Sequence, residues 1–135
     1  MEYDIFFSIS QTPDADGFTP SEQEMMRNYF QQVELADELG FGVAWLAQAH
    51  LSTITQKENT KPVVPHWQGE VGLCTDFPQL AVETFRRTER IDVGSAVVSI
   101  LASGGPIAQA ERIANTVQLL GLMSESRKLH IGFSA

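Results

Sequence analysis

From Asp4 to Ser10 the chain reads DIFFSIS, a short apolar run rich in Ile and Phe between polar residues. It is too short for a helix and predicts a buried strand. The polar Asp/Gly/Pro stretch from Gln11 to Pro20 ends that strand. Ser21-Glu22-Gln23-Glu24 has the form of a capping box, in which Ser21 accepts from the Glu24 amide and the Glu24 carboxylate reaches back to the Ser21 amide. Met26, Tyr29, Phe30, Val33, Ala36 and Leu39 then recur at three- and four-residue steps. This spacing predicts a helix with one apolar stripe, stopped at Gly40.

Gly42 to Gln48 (GVAWLAQ) is again continuously apolar, the pattern of a strand covered on both faces. Ala49 to Thr75 shows no helical or alternating period, contains Pro62, Pro65, Gly69 and Gly72, and predicts a long loop of the kind that often carries function. Asp76-Phe77-Pro78-Gln79 starts a second helix, with Leu80, Phe85 and Thr88 along it, ending near Glu89. Ile91 to Leu101 is a third strand. Gly104-Gly105-Pro106 leads into a third helix with Ile107, Ala110, Ile113, Ala114, Val117 and Leu120 in step, and Lys128 to Ser134 is a fourth strand. Strands alternating with helices demand right-handed crossovers and a parallel sheet. Two architectures fit: an open doubly wound sheet, or part of a (β/α)8 barrel. Neither a G-x-G-x-x-G fingerprint nor a G-x-x-x-x-G-K-[ST] loop follows the first strand, so the nucleotide-binding open sheets lose support.

Composition narrows the function classes. With 135 residues the chain is one globular unit at most, and its formal net charge of −8 leaves no basic stripe for phosphates. Nucleic acid and anionic membrane surfaces are therefore poor partners. Its apolar runs are too short to span a bilayer, and MEYDIFFSIS carries acids where a secretory signal needs bases, so a cytoplasmic location is expected. The single cysteine, Cys74, allows no internal disulfide and has no basic neighbour to activate it. Three scattered histidines give no metal motif.

The segments FGVAWLAQAHLST, RIDVGSAVVSIL and GGPIAQAERIANTVQLLGLMSESRKLHIGFSA are similar, in this order and spacing, to the bacterial luciferase-like flavin monooxygenases. The resemblance implies an α/β fold of the (β/α)8 TIM-barrel type, of which four parallel strands and three helices, about the first half, would be present. A complete barrel takes ~250 residues, so residues 1–135 are expected to be the N-terminal half of a longer chain. The resemblance also implies reduced FMN as cofactor, with a deazaflavin as the alternative, bound at the C-terminal mouth of the barrel. A small organic substrate and molecular oxygen would react there, with a flavin reductase as supplier of reduced FMN and a homo-oligomer as the assembly. The cofactor supplies the hard chemistry, and the protein supplies position and dryness.

The mouth residues of such a barrel lie at strand C-termini and in the loops after them. Here they are Ser8 to Gln11, Gln48 to His50, Ser99 to Gly104, and Ser134 to Ala135. His50 is the candidate catalytic residue, a proton-transfer group. The family often writes W-x-x-E-H-H where this chain has Trp45-Leu46-Ala47-Gln48-Ala49-His50, so Ala49 takes the place of the first histidine and Gln48 that of the glutamate. The other reading of His50 is a loop histidine with ordinary hydrogen bonds. Ala96 and Val97 align with a pair that the family joins by a cis peptide bulging against the flavin; the plain alternative is ordinary strand core. Ser134, with Ala96 and Val97, completes the cofactor-binding set. The arginine that in the family often follows the fourth strand is Ala135 here. Gly104 and Gly105 read as turn-makers rather than an anion site, His66-Trp67 as a loop anchor, and His130 as a satisfied core histidine.

Overall fold

The structure, a computed structural model, describes residues 2–11, 15–48, 76–123 and 126–134. The elements are β1 (Ile5–Phe7), α1 (Glu22–Glu38), β2 (Val43–Ala47), α2 (Phe77–Arg87), β3 (Asp92–Ser99), α3 (Gly105–Met123) and β4 (Leu129–Ser134). All three strand pairs are parallel and the sheet order is β1-β2-β3-β4. In the helix layer α2 packs against both α1 and α3. Among the described residues one face of the sheet is thus covered by helices and the other is free of them, the arrangement of about half a (β/α)8 barrel.

Local chemistry explains most of the boundaries. Ser21 Oγ accepts from the Glu24 amide at 3.2 Å, the first arm of the capping box. At the other end of α1, Phe41 N donates to Ala36 O and Gly40 N to Asp37 O, both at 3.1 Å, the bond pair of a Schellman stop. Strand β1 is shorter than its apolar run because Ile9, buried, turns to φ 47. That is a costly conformation for a β-branched residue. Strand β3 ends at Ser99, before the expected Leu101, where a turn closes through Ser103 N to Ser99 O (3.1 Å) and Gly105 N to Ile100 O (3.0 Å).

The core lies between sheet and helices. Phe7, Ala44, Leu46, Val93 and Val98 meet Met25, Tyr29 and Val33 of α1 and Phe77, Ala81 and Phe85 of α2. Tyr29 packs edge-on against Phe7 with centroids 5.2 Å apart, and its hydroxyl lies 2.7 Å from Thr84 Oγ1. Because Thr84 donates its own proton to Leu80 O, Tyr29 is the donor in that pair.

Two helix stripes depart from expectation. On α1, Met25 is fully buried in place of Met26, Leu39 is 68% exposed, and Asp37 is only 6% exposed. Asp37 is drawn in because its carboxylate caps the amides of Glu89, Arg90 and Ile91 at the start of β3. On α3 the expected stripe is largely outside. Ile107 is 76% and Val117 54% exposed; Leu120 enters the core as expected, and the polar Gln109 and Thr116 are buried. Ala110, Ile113 and Ala114 line a groove beside β4 instead.

Candidate functional site at the C-terminal ends of the strands

The site is built by an irregularity in β3. On the β2 side the register passes from Leu46↔Ser95 to Ala47↔Val97, and on the β4 side from Ser95↔Ile131 to Val98↔Phe133. Each neighbour therefore advances one residue fewer than β3, so β3 carries one inserted residue at Ala96–Val97. Such a bulge re-aims the side chains after it. Before it Val93 and Ser95 point to the helices; after it fully buried Val98 takes that direction. Val97, 46% exposed, and Ser99 turn to the helix-free face. No cis peptide occurs among the described residues, so the bulge is made with trans bonds. The cis link expected at Ala96–Val97 is absent, and the inserted residue produces the outward bend without it.

Beside the bulge, Ser95 Oγ accepts from Gly132 N at 2.9 Å and donates to Gly132 O at 3.2 Å. A Cβ on Gly132 would stand 3.1 Å from Ser95 O and 3.2 Å from Ala96 O, so the close approach of the two strands uses the missing side chain. Further up, Ser99 pairs with Ser134, and Ile100 N donates to Ser134 O at 3.3 Å. Ala96, Val97 and Ser134 thus come together at one end of the sheet, with Ser99, another of the expected mouth residues, beside Ser134.

Gln48, at the end of β2, braces the rim. Its Oε1 accepts from Phe77 N at 3.1 Å and its Nε2 donates to Ser103 Oγ at 3.3 Å, tying the start of α2 to the turn before α3. The rim residues of β1 include Ser8 and Ser10, whose hydroxyls are 3.4 Å apart, beside a cavity of about 250 Å³. The described rim residues supply hydroxyls, amides and apolar groups, and Arg112 of α3 reaches the rim turn, donating from Nη1 to Ser103 O at 3.3 Å. That lining suits the flat, largely apolar ring of a flavin with polar edge groups. His50, Ala49, His66, Trp67, Cys74 and Ala135 lie outside the described residues.

The opposite end of the helix-free face is a different kind of assembly. Asp4 accepts from Val43 N and Trp45 Nε1, both at 3.0 Å. Trp45 lies against Gly94 and 5.7 Å from the His130 ring, and His130 Nε2 is 2.9 Å from Asp92 Oδ2. Asp92 Oδ1 also accepts from Lys128 N at 2.9 Å. His130 is therefore half-buried and partnered by a carboxylate. At the N-terminal end of barrel strands such packing serves stability rather than chemistry.

Sequence reasoning missed the partnership of Ser95 with Gly132. The signal was faint: in a run as apolar as VGSAVVS the parity of the strand is hidden, and the insertion shows in the register with β2 and β4 and in the burial of both Ser95 and Val98.

With this geometry in hand, comparison with solved structures identifies the class of fold. The chain is similar to the monooxygenase RslO1 from Streptomyces bottropensis, with a TM-score of 0.68 at 20% identity over 98% of this chain and 32% of that one. It is also similar to a type II Baeyer–Villiger monooxygenase, the oxygenating constituent of 3,6-diketocamphane monooxygenase from the CAM plasmid of Pseudomonas putida, in complex with FMN. There the TM-score is 0.64 at 16% identity, over 100% of this chain and 30% of that one. The chain spans about a third of the length of either protein. No family description matches the sequence, and no curated protein matches it significantly. No helix among the described residues is long and apolar enough to cross a membrane.

Proposed function

We propose that the chain is the N-terminal part of a luciferase-like, flavin-dependent monooxygenase, in which reduced flavin and oxygen oxidise a small organic substrate. The observation that carries this reading is the β3 bulge. It turns Val97 and Ser99 onto the helix-free face at the strand C-termini, on a fold similar to two monooxygenases, one of them solved with FMN. Ala96 and Val97 would hold the flavin ring by backbone and apolar contact, with the Ser134 hydroxyl at its edge. FMN is preferred to a deazaflavin because one of the two similar structures contains it.

When bound, the flavin supplies the redox chemistry. This chain's residues would orient it and keep water from its face. His50 would move a proton near the reacting centre, since imidazole titrates near neutral pH. A cytoplasmic location, a flavin reductase as electron supplier and a homo-oligomeric state belong to the same reading.

The test uses the complete protein containing this sequence, given reduced FMN, oxygen and a panel of aldehydes and sulfonates. Substrate-dependent turnover upholds the reading. Tight flavin binding without turnover supports instead a non-catalytic flavin-binding relative, a second reading favoured by Ala49 in place of the family's histidine. Absence of flavin binding refutes both.

A further inference from the structure

We infer that Ser95 and Gly132 are positioning residues that clamp the Ala96–Val97 bulge and so set the surface against which the flavin ring rests. This inference depends on the flavin reading above. An inserted residue interrupts the regular ladder between β3 and β4, and the interruption falls at Gly132, between Ile131 and Phe133. Backbone groups there need partners from elsewhere. The Ser95 hydroxyl serves both: it accepts from Gly132 N at 2.9 Å and donates to Gly132 O at 3.2 Å.

The clamp fits only small residues. Ser95 is 0% exposed on the helix side, and Gly132 has backbone where a Cβ would press on Ser95 O and Ala96 O. Its effect reaches the rim through the parity of β3. If the bulge relaxed to a regular strand, Val97 and Ser99 would point to the helices and Val98 would leave the core. The clamp thus decides which side chains face the site, although neither of its own members need touch the ligand. A buried serine that merely satisfies itself would affect stability alone, and this difference makes the inference testable.

The complete protein containing this sequence is studied by equilibrium dialysis against FMN, with thermal unfolding and amide hydrogen exchange in parallel. Ser95→Ala and Gly132→Ala are compared with Thr88→Ala. The last removes a hydroxyl that donates to Thr84 O and accepts from Arg127 Nη1 at the far end of β3, both at 2.8 Å. Each clamp variant is expected to bind FMN about fivefold more weakly, about the loss of one ligand contact from the displaced surface, with faster exchange at Val97 and Gly132. Thr88→Ala lowers the melting temperature and leaves FMN affinity and those two amides unchanged. Equal affinity of wild type and folded Ser95→Ala or Gly132→Ala overturns the clamp while the flavin reading stands. A wild type that takes up no FMN overturns the flavin reading, and the positioning role falls with it. If one clamp variant fails to fold, the other decides.

Discussion

Replacing Asp37 by asparagine removes a charge from the joint between α1 and β3. The side chain is 6% exposed and its carboxylate accepts from Glu89 N at 2.9 Å, Arg90 N at 2.8 Å and Ile91 N at 2.6 Å. Arg90 Nη2 donates to Asp37 O at 2.9 Å, adding a cation nearby. Burial by itself raises the carboxyl pKa, but the three amides and the Arg90 charge outweigh it, and the group titrates below the ordinary carboxylate range. Asparagine turned to keep the two bonds at Oδ1 presents its amide to the Glu89 N–H, losing one charged bond and weakening two. With charged hydrogen bonds contributing ~1.5–3 kcal/mol each, the expected loss is about 2 kcal/mol, or about 4–8 °C in melting temperature. The sign with pH follows from the lowered pKa. Asp37 contributes its full stabilisation above the unfolded value of about 3.9, and loses it as pH falls through the lower folded value. Urea unfolding followed by tryptophan fluorescence between neutrality and about pH 3 should show the wild-type advantage shrinking only in that acid window. A penalty below about 0.5 kcal/mol at neutral pH, or one that stays constant into acid, refutes the reasoning.

At Gly94 a Cβ would stand 2.5 Å from the Trp45 ring, so Gly94→Ala should displace the indole from Asp4. The overpacking should cost about 1–3 kcal/mol and change the near-UV circular dichroism; an unchanged spectrum and stability would count against the packing described. Gln109 buries an Nε2 that has no hydrogen-bond partner, and Gln109→Leu should stabilise the chain by about 1 kcal/mol in thermal unfolding. The isolated chain should show no monooxygenase activity, bind FMN more weakly than micromolar and form oligomers or aggregates, which dialysis and light scattering will read directly. A clean monomer retaining flavin through gel filtration would contradict that expectation. In the complete protein His50→Ala should lower turnover by on the order of a hundredfold with little change in flavin affinity, and wild-type turnover would return His50 to an ordinary loop histidine.

What could be read from sequence follows the physics of each element. The capping box at Ser21, the stop at Gly40 and the Pro-containing start of α2 are local signals, and local chemistry decided them. The parallel order of the strands followed from their alternation with helices. Asp37 was invisible because a buried carboxylate is explained only by its partners, which lie more than fifty positions along the chain. The residue pattern alone hid the bulge, which only the family resemblance pointed to, for a related reason. An apolar strand covered on one side reads the same in either parity, and the inserted residue appears only when two neighbouring strands are laid beside it. At the rim, position at the strand C-termini marked Ser99 and Ser134 as mouth residues, which the register pairs with each other, whereas Ala96 and Val97 were pointed to by the family resemblance.

The exposed stripe on α3 bears on what surrounds this fold. Ile113, Ala114 and Pro106 of α3, with Ile100 and Phe133 from β3–β4, line a groove of about 380 Å³ that runs beside β4, an edge strand among the described residues. Phe133 is 53% exposed there, and Gln109 lines the same groove. A helix whose apolar stripe misses its own core is shaped for a neighbour, since leaving such a patch in water forgoes burial worth roughly 25 cal/mol per Å². The two similar monooxygenases are about three times as long as this chain. The parent-protein reading therefore accounts for both the free strand edge and the uncovered stripe with one assumption, further chain lying along β4. The same surface, when uncovered, drives the self-association expected of the isolated chain. Oligomerisation that persists after Phe133→Ser and Ile107→Ser would place the sticky surface elsewhere and remove α3 as support for that reading.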